Sequence, residues 1–582
     1  MPPALALPIS DSFDDVEEYV ESSLRFTTTS TLFQTLCGGV HILDFFTREP
    51  SLYDAVIPEE WRSWLLACDS MELLDLLIRD DLDSTSCDRK PPASLLGYIK
   101  DVRKHSLGRS YTPKSLKQTI LPRHVAVGMV PKKIHEVTNF ANYVDSLAEE
   151  IALQAGQDIT HFVDFGSGQN YLGRTLASPP YNRHIIAVES KKLNISGAKG
   201  MDVLAKVAKR EVVMRNKKIY RAQLGSLIPP DLLKDKALRR TAKSQKASSP
   251  AENVADLRPS RDLATIYTSS EGKGSIQYVE HIVNDGDLSN VIQQVKDPTA
   301  QETSVNENDQ RLMAMSIHSC GNLSHHGIRS LLLNPSVKAI AIVGCCYNLL
   351  TERLGPPTYK LPILRPHLQP INARVARESA ACDPHGFPMS KRISEYNNVG
   401  VRLNITARMM AVQAPQNWTS EESDAFFTRH YFRALLQKVF LDYGVVSKPN
   451  AAGESNLESE GTEPIIIGSL RKSCYGDFKS YVRGAISKLS TDPARRTRMI
   501  DKLGSITDEE IVAYAQRYAP RKKELSVMWS LMAFSAGVVE SLIVVDRWLF
   551  LREHPAVVKN CWVEAVFDYK QSPRNLVVVG IK

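Results

Sequence analysis

From about Asp14 to Arg79 the apolar positions recur at helical spacing. VEEYVESSLRF (16–26) and the aromatic-rich PEEWRSWLLACDSMELLDLLI (58–78) each carry an apolar stripe, which predicts amphipathic helices. Further on, Val137, Phe140, Ala141, Val144, Leu147, Ala148 and Ile151 predict one long half-buried helix. The pattern then changes. HFVDFGSG, HIIAVES, SIQYVEHIV, LMAMSIHSCG and VKAIAIVGCC are short apolar or β-branched runs separated by helical stretches. Such alternation predicts a parallel sheet buried on both faces.

Two segments interrupt it. Residues 226–273 are rich in Lys, Arg, Ser and Pro with little periodicity and read as a disordered insertion, as does KPNAAGESNLESEGTEP (448–464). After about Leu350 an irregular Pro-rich stretch leads into mainly helical sequence, including SDAFFTRHYFRALLQKVF, YGDFKSYVRGAISKL and VMWSLMAFSAGVVESLIVVDRWLFL. The chain closes on WVEAVFDYKQSPRNLVVVGIK, which predicts two strands around a turn containing SPRN. The expected organisation is a helical N-terminal region (1–125), an α/β domain (126–350 plus 555–582), and a mainly helical insertion (351–554).

Length and composition bound this picture. A chain of 582 residues exceeds one compact core, and 43% hydrophobic with 24% charged residues is ordinary for a globular protein. The net charge of +7 permits an anionic partner such as RNA without requiring one. Nine cysteines in no regular framework, two of them adjacent (Cys345, Cys346), suit a reducing compartment. The opening MPPALALPISDSFDD lacks the basic region of a signal peptide, so an intracellular protein of the cytoplasm or nucleus is expected. Only the stretch from Trp529 to Leu551 looks membrane-like. It contains Glu540, Asp546 and Arg547, each costly at bilayer depth, and so predicts a buried helix and no membrane partner.

The strongest chemical signal is FVDFGSGQNYLG. A strand ending at Asp164 turns through Gly166, Ser167 and Gly168, and a helix starts near Tyr171. Glycines there let the backbone approach a ligand closely. A nicotinamide fingerprint needs a third glycine at 171, where tyrosine stands; the acidic-x-G-x-G pattern of methyltransferases is met instead, with Asn170 in place of its frequent third glycine. HIIAVES ends in Glu189, 21 residues beyond Gly168, where a carboxylate can accept hydrogen bonds from both hydroxyls of a ribose. In NDGDL, Asp285 or Asp287 is a candidate contact to an adenine amino group. The expected cofactor is S-adenosylmethionine. The fold class expected is a Rossmann-like class I methyltransferase sheet, mostly parallel with a C-terminal antiparallel hairpin.

GMVPKKIHEV, VDFGSGQNYLGRTLA, HSCGNLSHHGIRSL, VGCCYNLLTE, FPMS and the terminal FDYKQSPRNLVVVGIK together resemble the methyltransferase-like protein 25 family, from about Met129 to Lys582. The resemblance implies an S-adenosylmethionine-dependent methyltransferase and no established substrate. Some members bear a name implying ribosomal-RNA adenine dimethylation, yet the Asn/Asp-Pro-Pro-aromatic motif used to hold a base amine is missing from this sequence.

HSCGNL closes the fourth strand of the predicted sheet and GCCYN the fifth. His318, Cys320, Asn322, Cys345, Cys346, Tyr347 and Asn348 are therefore expected beside the transferable methyl, with His318, Cys320, Asn322 and Asn348 as catalytic candidates. His318 is also a candidate on the cofactor side and can act as general base. Covalent attack by Cys320 lacks the Pro-Cys context of cytosine methylation. Zinc held by His318 and the three cysteines is disfavoured because adjacent cysteines are poor tetrahedral partners, and no metal is expected. The basic stretches LRRTAKSQK (238–246), PARRTR (493–498) and APRKKE (519–524) are candidate phosphate contacts. The expected function is methyl transfer to RNA or protein. The alternative is a methyltransferase fold retained as a binding scaffold. Nothing in the sequence sets the oligomeric state.

Overall fold

The computed structural model describes residues 3–79, 82, 90–112, 117, 120–156, 158–212, 265–269, 274–294, 310–354, 382–447 and 465–582. In chain order the strands are β1 (His161–Phe165), β2 (Ile185–Glu189), β3 (Ala208–Val212), β4 (Thr265–Ser269), β5 (Ile276–Glu280), β6 (Leu312–Cys320), β7 (Val337–Cys345), β8 (Asn560–Ala565) and β9 (Leu576–Ile581). Seven form one sheet in the order β5-β2-β1-β6-β7-β9-β8. The pairs from β5 to β7 are parallel, whereas β9 runs antiparallel to both β7 and β8. This is the Rossmann-like mixed sheet with a terminal hairpin. The hairpin's second strand enters between β7 and the hairpin's first strand, so the end of the chain supplies an interior strand.

The alternation of side chains divides two cores. Val163 and Phe165 of β1 and Ile340 and Ile342 of β7 face one; Phe162, Ala339, Ala341 and Val343 face the other. The second core is closed by the helix Pro131–Ala155, through Phe140 and Val144, and by Leu172 and Leu176 of the helix Tyr171–Ala177. The first is closed by Ile328 and Leu331 of the helix Leu323–Leu333 and by the helix Lys522–Arg552. N-terminal side chains such as Leu24, Trp61 and Leu95 join that same first core.

Of the stretches expected to be disordered, 448–464 lies outside the described residues, as does most of 226–273. Within the latter, residues 265–269 depart from expectation. They form β4, paired antiparallel with β3 in a separate two-stranded sheet. The short run carries no apolar alternation, so its pairing was not readable from period.

The helical stretch Asp508–Arg552, which ends in the helix Lys522–Arg552, is long and apolar enough to cross a membrane by length and composition, yet 94% of its apolar segment is buried inside the protein. The three charged residues between Trp529 and Leu551 have partners inside the protein. Glu540 meets Arg109 (2.7 Å), Arg574 (2.6 Å) and the hydroxyl of Tyr347 (2.8 Å). Arg547 donates to Ser324 Oγ (2.7 Å) and passes over Gly344, where any Cβ would lie 2.1 Å from its Nη1. Asp546 accepts from the backbone N–H groups of Met389 and Ser390 and from Ser390 Oγ, all within 2.9 Å. Asp546→Ala strands two buried backbone donors at about 1–3 kcal/mol each. We expect a loss of about 3 kcal/mol or more, read as a lower urea midpoint.

Candidate functional site

The parallel strands end on one edge, and the loops leaving that edge build the site. After β1 the chain takes positive φ at Gly166 (+64°), Gly168 (+57°) and Asn170 (+53°). Left-handed backbone is cheap for glycine and tolerated by asparagine, which is why Asn170 can replace a third glycine. Ser167 N–H donates to Val188 O, and the fully buried Asn170 donates from its side chain to the hydroxyl of Tyr278 at 2.9 Å. Gly173 has a packing role: a Cβ there would lie 2.1 Å from Asn170 Oδ1 and 2.8 Å from Ile185. The helix begins at Tyr171, as expected.

Glu189, at the end of β2, accepts from Gly168 N–H (3.0 Å) and Lys191 N–H (2.9 Å), tying the turn to the next strand. Asp164 is buried beside them. Burial pushes its carboxyl up to about 8, against the attraction of Lys133 and with help from Glu189. Ser167 Oγ is buried without a hydrogen-bond partner among the described residues. A carboxyl and a hydroxyl thus converge on the turn with capacity for a ligand. Asp285 and Asp287 stand exposed after β5, and each is engaged locally: Asp285 accepts from Asp287 N–H, and Asp287 accepts from Ser289 N–H and Oγ.

On the neighbouring strands, a register shift in β6 between Ser316 and Ser319 turns His318 outward. Its side chain is 41% exposed and its Nε2 lies 3.0 Å from Glu136 Oε2, whose side chain is 1% exposed. Lys133 Nζ reaches the same oxygen at 2.7 Å and also contacts His318 Nε2; Ser572 Oγ donates to Glu136 Oε1 at 2.8 Å. Burial alone would raise the Glu136 carboxyl, but His318 and Lys133 outweigh it and hold it at about 2. Glu136 is therefore a fixed buried anion behind a solvent-facing imidazole. Lys133 can donate only, so with Nε2 accepting its proton His318 is the neutral Nδ1–H tautomer; as the neutral Nε2–H tautomer the ring donates to Glu136 and turns Nδ1 into the proton acceptor.

Cys320 and Cys345 are direct partners across β6 and β7, with sulfurs 3.4 Å apart. Cys346 takes φ +50° and ψ +52°, which turns its sulfur back toward both, at 3.5 and 3.7 Å. Adjacent side chains diverge in extended backbone, and the left-handed turn at Cys346 is what brings these sulfurs together. Cys345 is buried, Cys346 half-buried and Cys320 exposed. Asn322 is turned elsewhere: its amide donates to Thr351 Oγ1 (2.7 Å) and Asp383 Oδ2 (2.9 Å), and its oxygen accepts from Thr351 N–H. Tyr347 points into the helical core at Glu540. Asn348 stays half-buried in the turn Tyr347–Leu349. His318 and the three cysteines are thus brought to one edge; Asn322 and Tyr347 are committed to structure.

Residues 132–353, spanning Glu136 to the cysteine turn, match a family described as "Methyltransferase domain". The chain is 24% identical over 507 residues to "Probable methyltransferase-like protein 25" of Mus musculus, covering 78% of this chain and 75% of that protein. The Homo sapiens protein of the same name is 24% identical over 318 residues, covering 54% of this chain and 42% of that protein. The chain is related to methyltransferase-like protein 25. No solved structure matches it. Four residues of this methyltransferase domain edge escaped sequence reasoning: Lys133, Glu136, Ser572 and Arg574. All lie inside PKKIHEV and QSPRN, stretches that carry the family resemblance, but nothing local announces that a helix and a terminal turn meet a histidine on β6.

Of the basic segments, 238–246 lies outside the described residues. Arg521 and Lys522 are paired with Glu524 and Asp424, whereas Arg496 and Arg498 are exposed on the helix Pro493–Leu503.

Proposed function

We propose that this chain is an S-adenosylmethionine-dependent methyltransferase with an RNA acceptor. The observation that carries the reading is the left-handed glycine turn held against Glu189, beside a buried Asp164 and an unpartnered Ser167 hydroxyl. These groups fit the cofactor. Glu189 is placed to exchange its two backbone donors for ribose hydroxyls, Asp164 to receive the ammonium of the methionine end, and Asp285 or Asp287 to meet the adenine from the exposed side. The cofactor supplies a sulfonium-activated methyl group, displaced in line by the acceptor nucleophile. His318 would take the proton that the acceptor releases, with Glu136 fixing the imidazole and balancing its charge. The net charge of +7 and the exposed arginines at 496 and 498 favour RNA over protein.

Calorimetric titration with S-adenosylmethionine tests the first part. Wild type should bind, and Glu189→Ala should bind roughly 30- to 1000-fold more weakly, the equivalent of about 2–4 kcal/mol of charge-assisted hydrogen bonding. A folded wild type that produces no binding heat would turn the reading to a scaffold. Comparing modified nucleosides and methylated proteins between cells with and without the protein separates RNA from protein as acceptor.

Asp164 adds a pH signature. Its carboxyl is raised from 3.8 to about 8, so its protonated form is the one compatible with the free fold. Stability is therefore complete below the unfolded value and is lost as pH rises through the window up to about 8, by at most about 1.4 kcal/mol per unit. Asp164→Asn should be more stable than wild type at pH 8 and equal to it near pH 4, by urea midpoint. The same variant should lose the proton release that accompanies cofactor binding at pH 7, measured as the difference in binding heat between two buffers of unlike ionisation enthalpy.

A further inference from the structure

The three sulfurs at the ends of β6 and β7 have a use that methyl transfer as derived above leaves unassigned. They are 3.4, 3.5 and 3.7 Å apart. Three vertices of a tetrahedron with metal–sulfur bonds of about 2.3 Å are separated by about 3.8 Å, so the cluster is within a few tenths of an ångström of a zinc-thiolate face. Packing does not account for it, because Cys320 is exposed and Cys346 is half-exposed. The arrangement also has a cost. Cys346 is held at φ +50°, a left-handed conformation that disfavours a side chain by about 1–2 kcal/mol. That conformation is what brings consecutive cysteines to the same side.

We propose that Cys320, Cys345 and Cys346 form a three-thiolate site for Zn²⁺, with the fourth coordination position open to solvent. Three protein ligands with an open position is the pattern of zinc sites that take a water or a substrate atom, rather than of closed structural sites. The surroundings suit an anionic cluster: Arg547 acts on Cys345, and His318 and Arg574 on Cys346. Binding takes the three sulfurs as thiolates, with their protons released to solvent, and leaves Zn²⁺ with three thiolates at net charge −1. The site is independent of the cofactor reading, because metal binding is measured without S-adenosylmethionine.

The test is a Co²⁺ titration of the full chain, kept reduced with a phosphine, followed by displacement with Zn²⁺. One cobalt per chain should bind with sulfur-to-metal charge-transfer absorption and the intense visible bands of tetrahedral cobalt, and Zn²⁺ should abolish both. Cys320→Ser, Cys345→Ser and Cys346→Ser should each weaken binding by more than about 100-fold, beyond the 10- to 100-fold cost of changes outside the first shell. Should a serine variant fail to fold, wild type alone decides: Zn²⁺ should protect these three cysteines from alkylation, mapped by mass spectrometry, while Cys474 still reacts. Absence of the charge-transfer band in reduced wild type, or alkylation of all three unaffected by Zn²⁺, overturns the proposal.

Discussion

Gly166→Arg is expected to abolish binding of S-adenosylmethionine while leaving the fold intact. Gly166 lies at φ +64°, and a Cβ added there would approach Leu323 Cδ2 to 2.9 Å. Neither effect alone is decisive. Left-handed backbone costs a non-glycine residue about 1–2 kcal/mol, and the tip of a leucine can give way. The decisive term is the side chain beyond Cβ. A guanidinium and its stem would occupy the space between the turn, Asp164 and Glu189, and would pair with one of those carboxylates in place of the cofactor. Affinity should fall by more than about 100-fold, or about 2.7 kcal/mol, by calorimetry, with the circular-dichroism spectrum unchanged. A folded variant that binds like wild type would place the cofactor elsewhere. Gly168 is a useful contrast: its Cβ would meet nothing nearer than Gly166 O at 3.9 Å, so Gly168→Ala tests the backbone conformation apart from steric filling.

What could be read from the sequence follows a physical division. Period and composition report on burial, so the double-faced strands around Val163, Ile186 and Ile342, the terminal hairpin and the buried nature of Trp529 to Leu551 were legible. The glycine turn was legible because positive φ selects residue type directly. Contacts across long separations were not. His318 meets Glu136 across 182 positions and Ser572 meets Glu136 across 436, and no local signal encodes either distance. Asn322 looked like an acceptor-side amide because it follows a strand end, but Thr351 and Asp383 compete for it and win. The convergence of the Cys346 sulfur on its neighbours was not legible either. Its left-handed conformation is rare for cysteine, and nothing in GCCYN marks it.

His318→Ala should lower turnover by about 10²–10⁴-fold with little change in cofactor affinity, the range for a positioned acid–base group. The imidazole is the most exposed member of the Lys133–Glu136–His318 group, 41% against 21% for Lys133 and 1% for Glu136, so it is the member best placed to meet an acceptor. Glu136 is a positioning residue acting through it, and Glu136→Gln should lower kcat more than it alters KM, with Glu136→Asp recovering part of the loss. Glu136 also carries a readout that catalysis does not touch. Its carboxyl is held at about 2, below its ordinary 4.5, so its stabilising effect is fully present above the unfolded value and is lost as pH falls through the window down to about 2. At about 1.4 kcal/mol per unit the effect is on the order of 3 kcal/mol, and Glu136→Gln should flatten the loss of wild-type stability across that acid window. Turnover is read as restoration of the missing methylation in cells that lack the protein, once that comparison has identified the acceptor. If His318→Ala restores methylation fully, the edge formed by β6 and the Pro131–Ala155 helix is a structural joint, and the proton must leave by another group.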